Sequence, residues 1–456
     1  MACDCREHSR AALLRQAATQ AGRGLPAIER GMPLPAGTGL DRRSFLFRSG
    51  AAMLSVYGAS KLGLSAFQEG IALAQGQSET VLVSVFLDGG ADSLSILAPT
   101  GDSKYQEYRP NLALSQAETV QFRDNSFGLR WHEKASKLKL LDDADKVTVF
   151  PAIGYTDPDQ SHFTSRHYWE VGELDPNGNT GWLGRLIDII GTDDNPLQGL
   201  ALDGQLSPAL AAASKPVASV DGPEYDLWTP GVWDDGVADA MFNAARDMGD
   251  VHAAGGDAGL ARAGSVEGQA MRVREQLDAL EIGDPPPAYP DVYFGRNMAA
   301  LAAMLGAGLP IRCAAMSAAG GYDTHDNQES SLGDDLGDTM DTLYAFQSDL
   351  EQRGIADRVL TLVWSEFGRR PHENGSGSGS GTDHGAAGAA FLIGTRASGE
   401  MIGDFPGLTN LDEDDNLCHT SDFRAAYCSL VEEWFGQDAA AVIPGASGFV
   451  RPNLVS

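Results

Sequence analysis

The sequence predicts an α/β protein built on a doubly wound, mostly parallel sheet flanked by helices. Three observations lead there. Nearly continuous apolar runs of strand length recur along the chain, beginning with Val81 to Leu87, and such runs suit strands buried on both faces. Each run breaks into a turn rich in Gly, Asp, Ser or His, and a stretch of helical character follows it, which is the alternation of an α/β sheet. The residues able to do chemistry gather in those turns, where open α/β sheets carry their sites. With 456 residues, 43% of them hydrophobic, the chain has apolar material for a large core. A single large domain over 75–456 is the economical reading.

Residues 1–74 are set apart as a leader. Asp41-Arg42-Arg43-Ser44-Phe45-Leu46-Phe47-Arg48 precedes a mildly apolar run from Gly50 to Phe67, and Ala72-Leu73-Ala74 offers a small-x-small cleavage site before Gln75. This resembles a twin-arginine export signal, with Met32 an alternative start. The run is interrupted by Lys61 and is too short and polar to span a bilayer, so no stable membrane span is expected after cleavage. The expected partner during export is the twin-arginine translocase, and the expected destination is the periplasm, cell surface or exterior. Because that route moves folded proteins, it hints at a metal or cofactor inserted before export.

The chain carries 33 Lys+Arg against 63 Asp+Glu, a net charge of -30. Without residues 1–74, which hold nine basic and five acidic residues, 24 face 58 and the balance becomes -34. Such a surface repels nucleic acid and anionic membrane, and an anionic substrate needs a locally positive site. Of the five cysteines, Cys3 and Cys5 lie in the leader. No Cys-x-x-Cys pair occurs, which argues against thiolate zinc or thioredoxin-like chemistry. Cys418 and Cys428 could pair outside the cytoplasm, whereas Cys313, in an apolar run, reads as a buried thiol.

In chain order, Val81–Leu87 is a strand ending at Asp88-Gly89-Gly90-Ala91-Asp92-Ser93. A helical patch near His132–Leu141 leads to a second strand, Val147–Ile153, whose exit runs from Gly154 through Thr156 to Ser161-His162-Phe163. Gly181-Trp182-Leu183-Gly184-Arg185 opens a helix, and Gly199–Leu202 and Pro216–Val220 read as further strands. Residues 221–256, rich in Gly, Asp, Pro and Trp, read as an irregular excursion. Helices are expected at Val266–Leu280 and Asn297–Leu305 and a strand at Ile311–Met316, which runs into Gly321-Tyr322-Asp323-Thr324-His325. Leu332, Leu336, Met340, Leu343, Phe346 and Leu350 mark one helix face, ended by Gly354. Two apolar runs, Arg358–Trp364 and one ending at Ile393-Gly394, bracket a polar loop with Ser365-Glu366-Phe367-Gly368-Arg369-Arg370, a Gly/Ser run and Thr382-Asp383-His384-Gly385. The Gly375–Gly381 run reads as a flexible loop or a flap. A final helix is expected from about Ser421 to Trp434.

Asp and His thus collect after four strands: Asp88; His162; Asp323 with His325; and Glu366 with Asp383 and His384. Carboxylate and imidazole together suit zinc, manganese or iron. Ser161, at a helix start, is the leading candidate nucleophile; Thr156 and Ser93 are alternatives. Arg166, Arg369 and Arg370 could face a phosphoryl or sulfuryl group. Each residue also has a plainer role: Asp88 bonding its own turn, His162 packing its helix, and Glu366 with Arg369 forming an ion pair that fixes the loop.

The export signal and the motifs Phe-Leu-Asp-Gly-Gly-Ala-Asp-Ser, Ser161-His162-Phe163, Gly181–Arg185, Gly321–His325, Ser365–Arg369 and Thr382–Gly385, in that order, resemble the bacterial family called domain of unknown function 1501. That family is similar in fold to the alkaline phosphatase and sulfatase superfamily. The resemblance implies a metal site at the carboxyl end of the sheet, with Asp88, Asp323, His325 and His384 as ligands, and the residue pattern of the turns adds Glu366 and Asp383. Ser161, Thr156 and His162 would be catalytic, and Arg166 and Arg369 would bind substrate. Glu366-Phe367-Gly368 falls where those enzymes have Asp-His-Gly, which points to one divalent ion, zinc or manganese, rather than two. Two functions remain open: an exported metal-dependent hydrolase of phosphate or sulfate esters, acting on a small molecule or glycan, and a non-catalytic exported cell-surface or glycan-associated protein on the same fold. A nicotinamide or flavin enzyme is disfavoured because no G-x-G-x-x-G follows the first strand.

Overall fold

The structure, a computed structural model, describes residues 54–57, 79–123, 127–193, 195–222, 235–255, 258–278, 286 and 288–456. The twin-arginine motif, the cleavage site, Met32, Cys3 and Cys5 lie outside the described residues. The centre is a nine-stranded sheet: β1 (Leu54–Tyr57), β2 (Val81–Phe86), β3 (Val147–Gly154), β4 (Gly199–Ala201), β5 (Val217–Val220), β6 (Cys313–Ser317), β7 (Val359–Trp364), β8 (Gly388–Ile393) and β9 (Ser421–Asp422). Their order is β1-β5-β4-β6-β2-β7-β8-β3-β9. Neighbours from β5 to β7 pair in parallel, as do β3 and β9. The exceptions are β8, antiparallel to both β7 and β3, and β1, antiparallel to β5.

Alternation along each strand divides the core in two. Val81, Val83 and Val85 of β2 face one apolar cluster, and Leu82 and Phe86 face the other. On the first face pack α5 (Tyr293–Gly306) and α6 (Gln328–Gln352), the latter through Leu332, Leu336, Met340, Leu343, Phe346 and Leu350, the stripe visible in the sequence. On the second face lie α1 (His162–Val171), α2 (Trp182–Ile190) and α7 (Phe423–Ser429). Trp169 of α1 stacks on Phe423 with ring centroids 4.5 Å apart and on Trp364 of β7 at 5.3 Å. Helices on both faces of a mostly parallel sheet make the doubly wound α/β class that the strand runs predict.

Three local expectations change. The excursion expected over 221–256 contains a 19-residue helix, α3 (Asp235–Ala253), which pairs with α4 (Ala258–Asp278). Its own span holds only Gly236 and Gly249 and no Pro or Trp; the Pro and Trp residues that suggest irregular chain lie before Asp235. The C-terminal helix ends at Trp434 as expected but changes form: Ser421–Asp422 joins the sheet, Phe423–Ser429 is α-helical, and the last segment, Leu430–Trp434, widens to a π-helix. The polar loop between β7 and β8 folds into a hairpin of Arg369–Asn374 and Gly381–His384, so Gly375–Gly381 serves as its turn. All three cysteines of 75–456 are free thiols. Burial pushes Cys313 up to about 12.

A buried ion pair ties these turns together. Arg109 and Asp92, both 0% exposed, form a bidentate contact at 2.5 and 2.9 Å. Arg109 also donates to the carbonyls of Pro371 and Arg370 in the hairpin. Gln328, at the start of α6, donates to Asp92 at 2.6 Å and accepts from Thr324 and Thr382, the neighbours of His325 and Asp383. Arg109→Met leaves a buried carboxylate without its cation, so the expected loss is about 3–5 kcal/mol. Urea unfolding of the variant against the parent measures it.

Candidate metal centre

The carboxyl ends of β2, β3, β6 and β7 and the amino end of antiparallel β8 lie along one sheet edge, and their loops build one cluster. Two glycines permit the approach. Gly89 adopts φ +122°, and a Cβ there would lie 2.3 Å from the Asp323 nitrogen. At Gly90, with φ +70°, a Cβ would lie 2.2 Å from the Phe367 ring. Only glycine tolerates both the dihedral and the contact.

Asp323 is the hub. Its Oδ1 lies 3.5 Å from His162 Nε2, 3.1 Å from His325 Nε2 and 3.4 Å from His384 Nε2. Each imidazole is held from behind. His162 Nδ1 is 2.7 Å from Glu366, His325 Nδ1 is 3.2 Å from Asp383, and His384 Nδ1 is 2.8 Å from the Gln160 carbonyl. In a neutral ring whose Nδ1 donates to oxygen, Nε2 carries the lone pair that an ion would take; the Nε2 atoms of His325 and His384 otherwise hydrogen-bond to each other at 2.9 Å. Two of the imidazoles, His162 and His384, lie at 3.5 and 3.4 Å from Asp323 Oδ1, close to the spacing of roughly 3.4 Å between ligands whose bonds to a tetrahedral ion are about 2.0–2.1 Å, while His325 Nε2 adjoins them beside His384 Nε2. His162, Asp323 and His384 offer ligand atoms all within 4.8 Å of one another. Nε2 of His162 is buried, and Asp323 Oδ1 at 3.5 Å is too distant for a well-formed hydrogen bond, a costly state that an ion would relieve. The donor set fits a divalent ion of the zinc or manganese kind.

The same Oδ1 accepts from Arg369 Nη2 at 2.6 Å. Arg369 is 1% exposed and spends its other donors on the carbonyls of Gly89, Gly90, Tyr322 and Thr382. Expected to bind substrate, it is instead built into the loops, since no edge of its guanidinium faces solvent. It pairs with Asp323 rather than with Glu366. Burial disfavours ionised Asp323, but the three imidazoles and Arg369 outweigh it and hold the carboxyl far below the usual range. At His162 burial again opposes charge, and Asp323 and Glu366 prevail, pushing it up to about 9. For His384 burial wins, helped by Arg369 and His162, and the imidazole is pulled down.

The other expected site residues fall into different places. Asp88 lies outside the cluster, facing Arg166 at 3.7 Å. Glu366, expected as a ligand, is buried behind His162, where it accepts from the Gly89 and His162 N–H groups. Asp383 stands behind His325. Ser161 is the N-cap of α1, and its side chain makes no capping bond. Thr156 is exposed, and Ser93 is buried with its Oγ without a partner. Arg166 lies over Phe86 at 4.4 Å and pairs with Glu170 at 2.8 Å. Phe367 packs 5.0 Å from His162 and 4.9 Å from His384 between ring centroids. The Gln160 carbonyl and the Asp92–Arg109–Gln328 network leave no local motif in the sequence, because one is a backbone acceptor and the other joins residues from distant turns.

The family model described as "Protein of unknown function (DUF1501)" matches residues 235–433. The family resemblance holds over that segment. No curated protein matches this chain. Among solved structures it is similar to Ps i-CgsB in complex with k-i-k-neocarrahexaose, at 10% identity over 83% of this chain and 75% of that one, with TM-score 0.34. It is also similar to the PsFucS1 sulfatase from Pseudoalteromonas sp., at 11% identity over 85% and 76%, with TM-score 0.32. The lipoteichoic acid synthase LtaP from Listeria monocytogenes follows at 8% identity over 81% and 78%, with TM-score 0.29.

Gly89→Ala is expected to displace Asp323 and lower zinc affinity in a competition titration while β2 and its neighbours stay folded by circular dichroism. In the metal-free protein, His162 is raised from 6.5 to about 9 on folding. Its contribution to stability is therefore complete below pH ~6.5 and disappears as pH rises through ~9. Urea unfolding of the metal-free parent and His162→Gln should differ most at the acid end of that window and converge at the alkaline end.

Proposed function

We propose that the chain is an exported metal-dependent hydrolase of phosphate or sulfate esters. The observation that supports it is the convergence of three imidazole Nε2 atoms on one Asp323 oxygen at the carboxyl edge of the sheet. His162, His384 and Asp323, with His325 adjoining them, would hold the ion, which when bound supplies Lewis acidity to an ester oxygen. One donor set among the described residues accords with one ion rather than two.

In this reading Ser161 is the nucleophile. Its hydroxyl is left uncommitted at the start of a ten-residue helix, where peptide dipoles favour an anion. The Ser161 oxygen forms a bond to phosphorus or sulfur as the bond to the substrate's alcohol oxygen breaks, and the hydroxyl proton leaves with the alcohol. Water then cleaves the seryl ester, which restores the hydroxyl and releases phosphate or sulfate. Arg166, half-buried beside Asp88, is the cation proposed to meet the anionic ester. Export rests on the twin-arginine motif; no helix among the described residues is long and apolar enough to cross a membrane.

Phe367 favours a second reading, a non-catalytic exported protein that keeps one ion. It occupies the place of an expected ligand and packs its ring against His162 and His384.

Metal analysis of the purified protein should find one transition-metal ion per chain. Aryl phosphate, phosphodiester and sulfate esters should be cleaved by the parent, with His384→Ala slower by at least about 100-fold. Bound metal with no hydrolysis would favour the second reading, and the absence of metal even after added zinc or manganese would sink the first.

A further inference from the structure

The structure assigns Glu366 and Asp383 as positioning residues that hold His162 and His325 with Nε2 toward Asp323, not as metal ligands. This inference rests on the metal reading of the site. The two nitrogens of an imidazole point away from each other, so an acceptor bonded at Nδ1 stands on the far side of the ring from an ion at Nε2. Glu366 is in that position, 2.7 Å from His162 Nδ1. Its oxygens are also occupied by the Gly89 N–H at 3.1 Å and the Ser365 hydroxyl at 3.0 Å. Asp383 is placed likewise, 3.2 Å from His325 Nδ1, and accepts from Asn374 at 2.9 Å.

The two differ in what could replace them. The Glu366 side chain is 0% exposed, so no water can take over its bond to His162, whereas the Asp383 side chain is 56% exposed and water can stand in. Removing the Glu366 charge should therefore weaken the centre more than removing that of Asp383.

The test reads binding of zinc by competition titration and the visible absorption of the cobalt-substituted full chain. Glu366→Gln should still take one ion, with affinity lower by about 10–100-fold and an unchanged cobalt spectrum. Asp383→Asn should lose less than Glu366→Gln, also with an unchanged spectrum. His384→Ala, which removes a ligand, supplies the altered spectrum for comparison. A spectrum altered in either carboxylate variant would overturn the assignment, as would parental affinity in Glu366→Gln, a larger loss in Asp383→Asn, or no ion bound by the parent. If Glu366→Gln does not fold, surface-exposed Asp383→Asn decides between ligand and positioning residue by its spectrum. Hydrolysis is not read, so a chain that binds the ion but cleaves no ester defeats the hydrolase proposal and leaves this one intact.

Discussion

One carboxylate oxygen organises the candidate centre. Asp323 Oδ1 accepts from Arg369 on one side and faces three imidazole Nε2 atoms on the other. Removing a buried guanidinium from water is costly unless its donors are satisfied, and Arg369 meets that demand with Asp323 and four backbone carbonyls from three separate loops. The arginine thereby fixes the positions of Gly89–Gly90, Tyr322–Asp323 and Thr382 at once. The cluster of histidines is a consequence of that fixing, since His325 and His384 follow Asp323 and Thr382 by only two residues.

Rigidity comes from a second layer. The Asp92–Arg109 pair and Gln328 connect the turn after β2, the start of α6 and the hairpin, so the loops that carry His325, Asp383 and His384 share one buried network. A low-dielectric interior strengthens such a network when every member is satisfied. The helices beneath it, α1 and α7, lock through the stacked rings of Trp169, Phe423 and Trp364, and α1 presents Ser161 and His162 at its first turn.

Much of this was legible in the residues. Runs such as Val81–Phe86 and Val359–Trp364 read as strands because burial on both faces leaves room for only a single small polar residue in each, Ser84 and Thr361. The stripe from Leu332 to Leu350 announced α6 because one face must meet the sheet. His162, Asp323, His325 and His384 follow such runs in the sequence, and their side chains converge. Glu366 and Asp383 follow the same runs but stand behind the histidines, since a motif names the side chain and not the direction it points. Helix α3 is hard to read in the sequence because Gly222, Pro223, Pro230 and Gly231 precede it and give the whole stretch the character of a loop.

The sequence by itself determined the layers: which runs are buried, which faces are apolar, and which turns hold imidazoles and carboxylates, all consequences of local hydrophobic period. Tertiary structure alone decided that β8 runs against its neighbours, that Arg369 faces inward, and that three Nε2 atoms share one oxygen. Those outcomes depend on strand direction and on hydrogen bonds between residues more than 200 positions apart, such as His162 to Glu366, and no local pattern encodes a partner at that distance.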